Sequence, residues 1–234
     1  MILTTAPLSP WALERWTGLL DHLDEFAFGF LYTLGTAAGA LILALALGTG
    51  FAMLNRHRLP LVRLIARIYV EVFQNTPLLV HFVFLYYGLA IVTEGAIRIN
   101  TFFTAVICVG LYHGSYIAEV IRSGIESVPR GQTEAALSQG FSQKETMWLI
   151  ILPQAVRSIL PPLTNQVVNL IKNTATVAII SGADIMFTAK NWAYDTTNYV
   201  PAFASAALLY FIMCFPVAAW GRRIEAQNKK AYHL

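Results

Sequence analysis

Residues 134–155 read EAALSQGFSQKETMWLIILPQA, and the fold turns on why so small and polar a helix stops abruptly before a run fit for lipid. Ala135 and Ala136 are strong helix formers with almost no side chain, so another surface can approach their backbone. Thr133 is the expected N-cap, which would set Glu134 at the positive end of the helix dipole. Pro129 and Gly131 are expected to end what precedes it. Gly140 suits the left-handed residue that closes a helix. Ser142 and Glu145, in the pattern S-x-x-E, then read as a capping box opening a second helix. Two helices meeting at a tight bend are expected, the first short and slim. That shape suits insertion into a partner's groove, and it equally suits an ordinary loop helix.

The rest of the chain decides where the bend lies. Of 234 residues, 56% are hydrophobic and 12% charged, with a mean hydropathy of +0.57. A soluble domain carries about 25% charged residues, so an all-α polytopic membrane protein is expected. The net charge of +3 is too small and scattered for a nucleic-acid surface. Cys108 and Cys214 sit in apolar runs and read as small hydrophobic residues, with no disulfide or CxxC metal signature. The N-terminus lacks a basic n-region, and Glu14, Asp21, Asp24 and Glu25 precede the first apolar run. A cleaved signal peptide is not expected.

A bilayer core of about 30 Å needs about 20 helical residues. Five spans are expected, over residues 26–54, 61–92, 101–120, 162–180 and 200–220. The second is broken at Asn75, Thr76 and Pro77, where proline removes a backbone donor and favours a kink, read either as a hinge or as static packing. Trp11 and Trp16 flank Glu14 and Arg15 in a segment, residues 1–25, expected to lie along the outer membrane face. Residues 26–222 form the helical core and 223–234 a cytoplasmic tail, the whole of 1–234 being one transmembrane domain. Basic residues cluster in alternate connections: Arg56, Arg58, Arg63 and Arg67 after the first span, and Arg122, Arg130, Lys144 and Arg157 after the third. Arg222, Arg223, Lys229 and Lys230 follow the fifth. The other loops hold Arg98, and Lys190 against Asp184 and Asp195. By the positive-inside bias the N-terminus lies outside and the C-terminus in the cytoplasm, which puts the bend at 134–155 on the cytoplasmic side.

Read in full, Glu134-Ala135-Ala136, three residues, Gly140, nine residues, Ile150, one residue, Leu152-Pro153 resembles the EAA signature of ATP-binding-cassette (ABC) importer permeases. YVEVFQNTPLLV (69–80), SYIAEVIRSGIESVPRGQ (115–132) and LPQAVRSILPPLTNQVVNLIKNTA (152–175) are similar to the polar amino-acid branch of that family. The likeness runs from about residue 30 to 222. It implies a type I importer-like permease in a bacterial cytoplasmic (inner) membrane, with Glu134, Ala135, Ala136 and Gly140 forming the coupling helix. The partners it implies are a second permease subunit, identical or homologous, two ATPase subunits and an extracytoplasmic amino-acid-binding protein. ATP and Mg would be bound by the ATPases and no cofactor by this chain. The missing G-x-x-x-x-G-K-[ST] loop agrees with that division of labour.

Candidate pathway residues lie in the third and fourth spans. Asn165, Asn169, Lys172 and Thr176 recur at helical spacing as one polar stripe, with Gln166 and Asn173 beside it. Polar groups at membrane depth face protein or water. They either line a path for an amino acid's charged ends or join helices at about 1–2 kcal/mol or less each. Lys172 is expected to pair with Glu71 or Glu119, because a fixed charge in the path would hold cargo too tightly. Glu119 and Arg122, three apart, are expected to pair locally. His113 and Ser115 are candidate pathway residues, Gly114 opening space beside His113, although a lone histidine is commonly a packing residue. Some relatives that recognise cationic amino acids carry a carboxylate where Gln166 stands, so the resemblance favours glutamine, glutamate or aspartate as cargo.

Two other classes fit the sequence less well. A secondary transporter or channel often shows two matching halves with broken helices, and five spans with one break do not divide so. An intramembrane enzyme would need more than His113 and Ser115, which as near neighbours on one helix cannot easily meet as base and nucleophile. No catalytic residue is assigned. His22, His57, His81 and His233 are too dispersed for a metal site, and no HExxH occurs.

Overall fold

The structure, a computed structural model, describes residues 9 and 11–232, with side chains described through Asn228. Residues 1–8 and 10 of the expected outer segment, and 233–234 of the tail with His233, lie outside the described residues. So do the side chains of Lys229 and Lys230.

The elements are all helical. In order they are α1 (Leu13–Leu20), α2 (Leu23–Leu54), α3 (Pro60–Gln74), α4 (Leu78–Val83) and α5 (Leu89–Val92), then α6 (Thr101–Glu126), α7 (Arg130–Ser138), α8 (Gln143–Glu145), α9 (Leu152–Asn173), α10 (Ile185–Thr196) and α11 (Tyr199–Tyr232). A π-helical turn, Phe84–Gly88, joins α4 to α5, and another, Thr146–Ile151, joins α8 to α9, which a 3-10 stretch, Thr174–Ile180, prolongs. Helices are what lipid demands, since each satisfies its own backbone groups. Three rods are individually long and apolar enough to cross a bilayer, and two bent pairs qualify together.

Packing shows that the bent pairs also cross. α2 and α6 lie side by side in the same direction. A Cβ on Gly35 would meet Phe102 at 3.4 Å and one on Gly39 would meet Val106 at 3.1 Å, while Leu43 fills the notch at Gly110 and Leu47 that at Gly114. Each helix offers small residues to the other's large ones, the close approach that replaces a hydrophobic drive in membranes. Tyr32 Oη and Thr101 Oγ1, 3.0 Å apart, tie the start of α6 to the early part of α2. The chain between them must therefore climb back from the foot of α2, and α3–α5 does so. Its two arms meet at 100°, far sharper than the expected kink at Pro77.

The remaining rods alternate. α9 runs against α6, with Gly124 beside Ile159 at one end and His113 bonded to Asn173 at the other. α11 runs against α9, because Asn228 Nδ2 donates to the Arg157 carbonyl (2.7 Å) while Gly221 touches Thr164. α10 runs against α2. Asp184 and Thr188 abut Gly29, and Trp192 meets Phe26 and His22 edge-on or tilted. The five crossings thus alternate, and α7 lies at the end where α2, α6 and α11 finish.

The rod that carries the expected fourth span, 162–180, begins earlier, at Gln143. Two expectations need correction. Residues 185–196, expected as loop, form α10, because Asp184 Oδ1 accepts from the Phe187 N–H (2.9 Å) as an N-cap. α7 starts at Arg130 with Pro129 as its N-cap residue, so Thr133 caps nothing, Gly131 is helical, and Glu134 lies past the first turn.

Candidate functional site

The slim helix is closed as its sequence requires. Gly140 adopts φ +88°, with open space where a Cβ would stand. The Phe141 N–H reaches the Ala136 carbonyl (3.1 Å) and the Gly140 N–H the Leu137 carbonyl (3.0 Å), a complete Schellman motif. Two residues later, Ser142 N–H donates to Glu145 Oε2 (2.8 Å) and Glu145 N–H to Ser142 Oγ (3.3 Å). The bend is therefore fixed by backbone bonds on one side and by a reciprocal side chain–backbone pair on the other. The expected coupling residues divide by face: Glu134 and Ala135 are exposed, while Ala136 is 5% exposed and packs inward. The Glu134 carboxylate has no partner among the described residues, so α7 presents a bare acid beside a patch of backbone with almost no side chain.

The π turn after the bend has a local cause. Pro153 cannot donate to the carbonyl four residues back, and the helix widens there. Beside it, Gln154 Nε2 donates to the Ile150 carbonyl (2.8 Å).

At mid-depth His113, 2% exposed, joins α6 to α9. Asn173 Nδ2 donates to His113 Nε2 (3.0 Å), so Nδ1 carries the proton and donates to Gln166 Oε1 (3.3 Å). Three of the candidate residues thus form one node. Ser115 does not join it: its buried hydroxyl donates to the Tyr112 carbonyl (2.6 Å). Nor does Gly114 open space, because Tyr69 joins Leu47 in filling the notch, its hydroxyl donating to the Leu111 carbonyl (2.7 Å).

Below the node a cleft of about 380 Å3 is lined by Gln74, Tyr116, Glu119, Ser123, Ser158 and Gln166. Of the expected pathway residues only Gln166 faces it. Beside it a chain of rings passes from Phe51 through Tyr69, Phe73 and His81 to Tyr112. Both nitrogens of His81 are buried without a partner among the described residues. Sequence reading weighed His81 only as a metal ligand and passed over Tyr116 and Ser158. The available signal was His81 four residues after the Pro77 break, which brings α4 back onto α6.

The stripe on α9 points elsewhere. Asn165, Asn169 and Lys172 are exposed on the outside of the chain and Thr176 is half-buried. Lys172 forms no ion pair with Glu71 or Glu119 among the described residues. Glu71 accepts from Asn75 Nδ2 (2.8 Å), and Glu119 from Arg122 Nε (2.9 Å). Arg122 also bridges to Glu126, so the expected local pairing holds.

With five alternating rods, a rigid bend at one end and a cleft between that Gln166 faces, comparison with known proteins is decisive. The family of binding-protein-dependent transport system inner membrane components matches residues 40–230. The chain belongs to this family. Within it, the probable glutamine ABC transporter permease protein GlnM of Bacillus subtilis is 34% identical over 92% of this chain and 98% of its own. The glutamate transport system permease protein GluD of Corynebacterium glutamicum is 34% identical over 92% of this chain and 80% of its own. A crystal structure of an amino acid ABC transporter with histidines superposes with a TM-score of 0.84 at 29% identity, covering 91% of this chain and 98% of that one. As a multi-pass inner membrane component, the chain carries both the bend at Gly140 and the His113 node inside the matched region. No cluster of three or more metal-ligating side chains occurs among the described residues.

Proposed function

We propose that this inner membrane component is the permease subunit of an ATP-driven importer for polar amino acids of the glutamine, glutamate or aspartate kind. It pairs with a second permease, identical or homologous. Two ATPase subunits bind ATP and Mg and grip α7, and an extracytoplasmic binding protein delivers cargo. One observation carries the coupling assignment: a helix closed by a Schellman motif presents Glu134 and Ala135 outward at the arginine-rich end of the rods. By the positive-inside bias that end is cytoplasmic, with the N-terminus outside. Residues 1–234 then act as one permease domain.

Cargo crosses beside Gln166, whose neutral amide suits zwitterionic or acidic amino acids. Asn169, on the uncovered face of α9, lies toward the second permease. The names of the glutamine and glutamate relatives support this choice of cargo.

The decisive experiment reconstitutes the permease with its ATPase and binding protein in vesicles. Glu134→Lys is expected to uncouple ATP hydrolysis from uptake while leaving membrane insertion intact. Unchanged transport would overturn the coupling assignment, and ATP-independent flux through the wild-type chain alone would favour a secondary transporter or channel. Gln166→Glu is expected to let arginine and lysine compete with cargo for uptake. An unaltered competition profile would remove Gln166 from the path.

A further inference from the structure

A second cavity, of about 750 Å3, lies at the arginine-rich end between α6, α7 and the π turn, away from the cleft. Arg56 at the foot of α2 and Arg130 at the start of α7 line it, and neither guanidinium has an acceptor among the described residues. Thr146 lines it as well; it is 2% exposed and its Oγ1 lacks a partner among the described residues. A helical threonine ordinarily returns its hydroxyl to the preceding turn. Here the hydroxyl stays unpaired at the cavity wall, on the π turn where the helix has widened. The other walls are mixed: Leu137, Met147 and Ile151 are apolar, Thr133 and Gln143 are polar, and the Glu126 carboxylate lines the cavity but is bridged by Arg122.

Two cations without acceptors, against one carboxylate that Arg122 already neutralises, together with a buried unpaired hydroxyl and a partly apolar wall favour an anion attached to a hydrocarbon body. In sequence, Met53 lies one turn before Arg56, and Trp148 and Leu149 follow Met147; all three are large apolar residues about 60% exposed, a surface that suits the lipid interface, where tryptophan concentrates. We propose that this cavity binds the phosphate of an anionic phospholipid, held by Arg56 and Arg130 with Thr146 donating a hydrogen bond. Basic pockets at the cytoplasmic ends of membrane helices favour such headgroups. Occupancy would brace α7 against α6 and the π turn, so lipid composition would set the stiffness of the bend. The assignment requires only that the chain spans a bilayer and is independent of which solute the protein carries.

The test is native mass spectrometry of the full chain in detergent, titrated with dioleoyl-phosphatidylglycerol, dioleoyl-phosphatidylcholine or inorganic phosphate. The wild type should retain phosphatidylglycerol over phosphatidylcholine. Arg56→Gln and Arg130→Gln should each weaken that retention roughly fivefold, and Thr146→Val should weaken it without loss of the folded species. Equal retention in Arg56→Gln/Arg130→Gln and wild type would overturn the site. So would equal retention of the two lipids by wild type, or capture of inorganic phosphate with no preference for phosphatidylglycerol. Size-exclusion profiles identify any variant that misfolds, and Thr146→Val then decides alone, because valine preserves the shape of the buried side chain.

Discussion

At the scale of single residues, His113 illustrates what a buried polar group demands. Its two nitrogens satisfy Gln166 and Asn173 on the facing helix, and His113→Ala would strand both amides. Each unsatisfied group costs about 1–3 kcal/mol, so His113→Ala should lower the thermal midpoint in micelles. Gln166→Ala should lower it less, and the double variant should fall short of the sum. Gly140 gives a second case. Alanine at φ +88° carries about 1–2 kcal/mol of left-handed strain, and Gly140→Ala should speed amide exchange at Phe141 and slow uptake. Glu145 gives a third. The Ser142 backbone N–H, and then its hydroxyl, hold this exposed carboxyl below the ordinary 4.5. Because the folded value is depressed, the box stabilises fully above the ordinary value and is lost as pH falls through the depressed one. A carbon-13 titration of Glu145 should place its midpoint below 4.5, and Ser142→Ala should return it toward that value.

At the scale of elements, the bend at α7 and α8 was legible because every signal for it is local: a glycine with positive φ, a serine and a glutamate at fixed offsets. The start of α7 was misread because Pro129, competing with Thr133, fixes the first turn without a side-chain bond. α10 was missed through attention to Lys190 and Asp195. Ile185, Ala189, Trp192 and Ala193, all buried, form a helical stripe after the Asp184 cap. Which alanine faces a partner was not legible, since a face is set by neighbours distant in sequence. Crosslinking separates them: Ala135→Cys should capture the ATPase, and the inward-facing Ala136→Cys should not. Equal capture from both would mean that α7 rotates on assembly.

At the scale of the whole molecule, the five spans were readable from hydropathy and loop charge, while the depth of the bend in α3–α5 and the destination of the α9 stripe were not. Hydropathy counts residues and carries no angle, so the 100° turn at Pro77 is invisible to it. The stripe reads as a path from within one chain, yet Asn165, Asn169 and Lys172 point out of it. Bare amides and an ammonium cannot face hydrocarbon, so a second chain or water must cover them. Asn169→Cys should form a disulfide-linked permease pair or react with a membrane-impermeant maleimide in intact vesicles. Protection from both, with uptake retained, would contradict that reading.

The glycine-notched seam of α2 and α6 also has a consequence for biogenesis. These two rods are not successive in synthesis, since α3–α5 emerges between them. The first rod leaving the translocon finds no mate for some fifty residues and must wait in lipid or be chaperoned there. Ribosome-stalled chains ending before α6 should therefore be degraded sooner than those carrying the complete seam.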